Sequence, residues 1–299
     1  MCTGASWHGP SYRYAPSGAL RDFNPDVVLP QLLPRVIGLP YDASSSFLRG
    51  PAEAPPLIRA ALHSSHWNSW TEQGQDLSMP GALTDAGDLR LPPDASARGQ
   101  IESGIAELLA GGWRPLALGG DHSVTYPILR AVSRSYPLLT ILHIDAHPDL
   151  YDEFEGDRFS HACPFARIME ERLARRLVQV GIRTMNAQQR SQADRFGVEV
   201  IDMRAWETGA RPALDGALYL SIDLDGLDPA YAPGVSHREP GGLSVRDVLT
   251  LVQDAGGTVV GGDVVEYNPR QDLAGVTATV AAKIVKEVAG RMLADAAAD

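Results

Sequence analysis

Six short apolar runs alternate with segments of helical spacing along the chain: "RVIGLP", "RPLALGG", "PLLTILHID", "VQVGIR", "GALYLSIDLD" and "TVVGGDVVEYN". Parallel strands need a long crossover between them, and a helix usually supplies it. The alternation therefore predicts an α/β fold with a mostly parallel sheet and helices on both faces. "HSVTYPILRAV" and "PFARIMEERLARRL" read as two of those helices, the second amphipathic over residues 164–177. In "LSVRDVLTLVQDA" Ser244 and Asp247 stand as a capping box, and "VTATVAAKIVKEVAGRML" closes the chain as a long helix. The chain has no repeat, low-complexity tract or long linker. It reads as one catalytic domain over 35–299, preceded over 1–34 by an irregular arm rich in Gly, Pro and aromatics. "WNSW" at 67–70 reads as core or subunit contact.

Four of the runs end in acids or imidazoles. They are "GGDHS" (Asp121, His122), "HIDAHPD" (His143, Asp145, His147, Asp149), "SIDLDGLD" (Asp223, Asp225, Asp228) and "GGDVVEYN" (Asp263, Glu266). Burying an ionised carboxylate is costly unless it is paired or coordinated. In an open parallel sheet the carboxyl ends of the strands are where ligands bind. Four such motifs at one edge point to a metal site. Asp145 and His147 alternate around Ala146, and Asp223 and Asp225 around Leu224, so each pair can serve two ions. Oxygen donors dominate, with two imidazoles and no thiolate, which favours Mn²⁺ over Zn²⁺. Two ions about 3.5–4 Å apart can make hydroxide near neutral pH, the nucleophile of a hydrolase. Caps and turns explain Asp228 and Asp152 better, and Asp121, Asp263 and His143 read as supporting groups. His143 is expected on the strand face away from the groups around Asp145.

Composition narrows the partners. The formal charge of −11 argues against nucleic acid and anionic membranes. No apolar run approaches the ~20 residues of a membrane span. Two cysteines, Cys2 and Cys163, stand far apart and give no disulfide framework, so a cytoplasmic location is expected. The first residues show neither an apolar signal core nor an Arg-rich amphipathic helix.

"GGDHS", "DAHPD" and "SIDLDGLDPAYAPG" together resemble the signature motifs of the ureohydrolases, the family of arginases and agmatinases. The likeness runs from "FLRGPAEAPPLIRAAL" to the last helix. In "YDEFEGDRFSHACPFARIME", "VSHREPGGLS" and "DVVEYNP" it is greatest to the plant-arginase branch. The resemblance implies a three-layer α/β/α sandwich and an enzyme that hydrolyses a small guanidino compound to urea and an amine. It implies two Mn²⁺ ions, one on His122, Asp145, Asp149 and Asp223, the other on Asp145, His147, Asp223 and Asp225, with Asp145 and Asp223 bridging. Glu266 would receive the guanidinium through charge-assisted hydrogen bonds. His161 would act as general acid or proton shuttle for the leaving amine. The oligomer would be a trimer or a hexamer of two trimers.

Asp157, four residues before His161, bears on the substrate. Plant-type relatives tend to carry a neutral amide there, and a carboxylate at the mouth would repel a substrate carboxylate. Like charges about 6 Å apart at an effective dielectric of about 20 cost roughly 2–3 kcal/mol. Agmatine, which lacks that carboxylate, is therefore narrowly preferred, with arginine or another guanidino acid as the alternative. Thr184 and Asn186 stand where animal arginases have acids, and Leu150-Tyr151 follow Asp149. Two other readings compete: a thiol mechanism using Cys163 with His161, and a silent subunit on the same scaffold. The thiol reading leaves the carboxylates unexplained, and nothing in the sequence supports the silent subunit, since every expected ligand type is present.

Overall fold

Every strand of the sheet runs parallel to its neighbours. The structure, a computed structural model, describes residues 32–65 and 67–298. The arm expected over 1–34 lies outside the described residues up to Gln31. The strands are β1 (Leu33–Gly38), β2 (Thr84–Asp88), β3 (Trp113–Leu118), β4 (Thr140–Ile144), β5 (Arg176–Ile182), β6 (Glu199–Asp202), β7 (Ala217–Asp223) and β8 (Thr258–Val265). The helices are α1 (Ala54–Leu62), α2 (Ala97–Ala110), α3 (Thr125–Ser135), α4 (Pro164–Glu170), α5 (Ala187–Phe196), α6 (Met203–Glu207), α7 (Val245–Asp254) and α8 (Val276–Ala298).

The strand order is β2-β1-β3-β8-β7-β4-β5-β6. One core lies between the sheet and α1, α6, α7 and α8, the other between the sheet and α2, α3, α4 and α5. The fold is thus an α/β/α sandwich. The alternation of β7 shows how one sequence serves both layers. Leu218, Leu220 and Ile222 join the first core, whereas Tyr219 joins the second and shares its face with Ser221 and Asp223. β4 does the same: Leu142 and Ile144 face one way, Ile141, His143 and Asp145 the other.

Local rules fix several ends. Ser244 and Asp247 form the expected capping box at α7, and Asn186 with Gln189 forms another at α5. The helix expected over 164–177 stops at Glu170, Arg172 takes a left-handed φ of 57°, and β5 begins at Arg176. Its apolar residues Ile168, Leu173 and Leu177 all reach the second core, a spacing that a helix followed by a buried strand satisfies as well as one long helix. Among the described residues no helix is long and apolar enough to cross a membrane.

Candidate metal centre and active site

β3, β8, β7 and β4 are consecutive in the sheet, so the four acidic motifs leave it side by side. Neighbouring strands lie about 4.8 Å apart. Ile144 is in register with Ile222, which brings Asp145 and Asp223 out at the same level of adjacent strands. Two glycines permit the close packing around them. A Cβ on Gly120 would lie 1.7 Å from Tyr41 O, and one on Gly226 2.9 Å from Asp145 N. Asp149 (φ 48°) and Glu266 (φ 61°) both adopt left-handed backbone, which is costly for a side-chain-bearing residue and concentrates at functional sites.

The buried floor collects Asp145, Asp149, Asp223, Asp225 and His122, with His147 at its edge. His122 Nδ1 lies 3.2 Å from Asp145 Oδ2, 3.2 Å from Asp149 Oδ2 and 3.1 Å from Asp223 Oδ2. It is nevertheless in hydrogen-bond geometry with none of them. The other ring nitrogen, Nε2, meets Ser221 Oγ at 3.0 Å, and that hydroxyl donates to Asp263 Oδ1 at 2.8 Å. Asp263 Oδ2 accepts from Thr125 Oγ1 and Tyr219 OH. The network puts the His122 proton on Nε2 and leaves the Nδ1 lone pair facing three carboxylate oxygens. A lone pair among anions is repulsive; a cation at their centre turns every contact favourable. This donor set fits a metal ion.

A second group continues the first. His147 Nδ1 lies 3.2 Å from Asp225 Oδ2 and 3.5 Å from Asp145 Oδ1, so the two oxygens of Asp145 face different imidazoles. Ligand atoms of Asp145, His147 and Asp225 fall within 4.8 Å of one another. Two carboxylates that close repel by about 3 kcal/mol or more at an effective dielectric of about 20. That crowding acts on each group. Burial, together with Asp225 and Asp145, pushes the Asp223 carboxyl well above its usual range. Burial raises Asp225 to about 7, with Asp145 adding to the rise and His147 opposing it. Burial opposes charge on His147, but Asp225 and Asp145 prevail and raise it to about 12.

His143 corrects the sequence reading. It shares its face with Asp145 and donates from Nε2 to Asp145 Oδ2 at 2.7 Å. Gln179 Nε2 donates to His143 Nδ1 at 2.9 Å and to Pro148 O at 2.7 Å, and Phe165 stacks on the ring at 3.9 Å. That tautomer-fixing support is what a ligating carboxylate needs. Asp121 accepts from Ser44, Ser45 and Ser123, tying the loop after β1 to the end of β3. Asp228 accepts from the backbone of Ala230, Gly241 and Gly242, and Asp152 pairs with Arg158 and Arg167.

Above the floor opens a cavity of about 150 Å³ lined by His147, Asp149, Asp223, Asp225, His161, Glu266, Ser46, Tyr151, Phe154, Thr184, Gln189 and His237. Glu266 Oε1 accepts from His122 N at 2.9 Å and from His161 Nδ1 at 2.8 Å. Oε2 has no such partner among the described residues. Burial disfavours charge on His161, yet Glu266 raises it to about 9. Ser46 meets His161 Nε2 through Oγ at 2.9 Å. Asn186 caps α5 and donates to Tyr151 OH, while Leu150 is buried away from the cavity. Ser46, Ser221, Gln179 and His237 were missed from sequence, although Ser221 and His237 lay inside the recognised motifs "SIDLDGLD" and "VSHREPGGLS".

Asp157 does not line the cavity. It is exposed, closes a tight turn with Phe154, and its Oδ1 accepts from Phe159 N at 2.8 Å. Cys163 is fully buried, donates to Asp157 O, and burial pushes its thiol up to about 12, the opposite of an activated nucleophile.

A family model described as the arginase family matches residues 34–290. Arginase 1, mitochondrial, of Arabidopsis thaliana is 48% identical over 275 residues, 86% of this chain and 80% of the relative. The mitochondrial agmatinase of Gallus gallus is 34% identical over 272 residues, covering 84% and 78%. The solved arginase from Medicago truncatula superposes with a TM-score of 0.84 at 46% identity, covering 88% of each chain. Two expectations fall here. The preference for agmatine is overturned, because similarity is much greater to the proteins named arginase and Asp157 has left the cavity it was meant to guard. The cytoplasmic expectation is overturned by relatives named mitochondrial. A lack of disulfides marks a reducing compartment and does not separate cytosol from organelle matrix.

Proposed function

The chain belongs to the arginase family of hydrolases that cleave C–N bonds of amidines, and from that premise we propose that it is an arginase, converting L-arginine and water to L-ornithine and urea. The observation that carries this reading is the 48% identity to Arabidopsis arginase 1, against 34% to the chicken agmatinase.

We assign the metals as two Mn²⁺ ions, on the oxygen-rich donor set. One would be held by His122, Asp145, Asp149 and Asp223, the other by Asp145, His147, Asp223 and Asp225. When bound, they lower the pKa of water so that a nucleophile exists near neutral pH. The remaining work belongs to the chain. Glu266, with Oε2 uncommitted, receives the planar guanidinium and sets its carbon over the floor. His161 holds a proton at Nδ1, shared with Glu266 Oε1. A guanidinium on Glu266 competes for that carboxylate and brings the His161 pKa down from about 9 toward its ordinary value. The proton is released more easily once substrate is bound, and the departing amine takes it. The assembly we propose is a trimer or a hexamer of two trimers.

The test is a urea-release comparison of arginine with agmatine on Mn²⁺-loaded protein. A higher kcat/KM for arginine supports the reading; a higher value for agmatine rejects it.

A further inference from the structure

The cavity has three imidazoles on its walls, and two of them are spoken for. His147 turns Nδ1 to Asp145 and Asp225. His161 uses Nδ1 on Glu266 and Nε2 on Ser46. His237 makes no hydrogen bond through either ring nitrogen to any described residue, yet its ring is confined. His161 lies 5.3 Å away between centroids, Phe47 5.5 Å and the edge-on His147 5.8 Å.

Its backbone is pinned on both sides. Val235 bridges to Tyr267, beside Glu266. Ser236 Oγ donates to Leu48 O at 2.9 Å and accepts from Asn268 Nδ2 at 2.9 Å. Beyond His237, the Arg183 guanidinium donates to Glu239 O as well as to the carbonyls of Asp225, Gly226 and Leu227. A side chain fixed this firmly with both polar atoms unused is placed for a ligand.

We propose that His237 is a substrate-contacting residue that accepts a hydrogen bond from an N–H of the guanidino group anchored on Glu266. A guanidinium carries five N–H donors in a fixed fork, and one carboxylate oxygen satisfies few of them. The rest require acceptors on the cavity wall, since a buried donor left unpaired is costly. Neutral imidazole has one bare ring nitrogen that accepts, and His237 lines the same cavity as Glu266. An uncharged ring has a lone pair to offer. The inference rests on the guanidino-substrate reading above and names a residue that determines affinity.

Mn²⁺-loaded wild type, His237→Phe and His237→Asn separate the possibilities. The Phe variant keeps a packed ring without an acceptor; the Asn variant keeps an acceptor on a smaller group. KM for arginine should rise at least about tenfold in the Phe variant, with kcat within about threefold and metal content unchanged, and rise less in the Asn variant. Wild-type KM in the Phe variant, or equal losses in both, would overturn the proposal. Calorimetric binding of methylguanidine to the same three proteins should follow the same order. That measurement tests His237 even if arginine proves not to be the substrate, and equal binding by wild type and the Phe variant would reject the contact.

Discussion

At the floor of the cavity Asp145 and Asp223 leave adjacent strands in register, both buried and lying 3.2 and 3.1 Å from the same imidazole nitrogen. At the rim Asp157 closes a turn whose central residues, Glu155 and Gly156, both have positive φ, and its carboxylate is spent on Phe159 N. Both places carry acids next to recognised motifs, yet only the floor acids are buried around one imidazole nitrogen. Sheet register and burial force them together, and a cation between them would relieve that crowding. The rim acid has water and a backbone N–H, so its charge commits it to nothing. Charge in a sequence implies chemistry where the fold denies it solvent.

That contrast can be broken by substitution. His161→Asn should lower urea release by roughly a hundredfold or more while metal content stays intact, because it removes a proton donor and no ligand. Metal loss in that variant would make His161 part of the floor. One layer out, His143→Phe keeps the stack on Phe165 but removes the donor to Asp145. Mn²⁺ affinity should fall by about 10–100-fold; unchanged affinity in a metal titration would show that the hydrogen bond to Asp145 has no bearing on the site. Smallest of all should be the rim: Asp157→Asn should shift stability within about ±0.5 kcal/mol and leave the ratio of arginine to agmatine turnover unchanged. A changed ratio would return Asp157 to the substrate's path.

How much was legible follows the same line. β3, β4, β7 and β8 are mostly apolar, buried runs that lead into acids, so both their strand character and their polar ends stand out in the sequence. β2, "TDAGD", and β6, "EVID", lie at the sheet edges, where half-exposed polar residues carry no such signal. The period-2 pattern contained the answer for His143, which stands two residues from Asp145 and therefore on its face. His237 and Ser46 come from loops without periodicity, and only the folded chain brings them to Glu266 and His161. The substrate was misread because a rim acid was given a direction that its turn does not allow.

The central claim is that the floor is a two-ion site joined by Asp145. Chelated protein titrated with Mn²⁺ and followed by metal analysis and urea release tests it most directly, with Asp145→Asn alongside. Two ions per chain in the wild type, activity that appears only on their addition, and loss of both in the variant are the expected results. Full activity in the chelated protein, or an Asp145→Asn variant that retains both ions and turns over normally, would contradict the account.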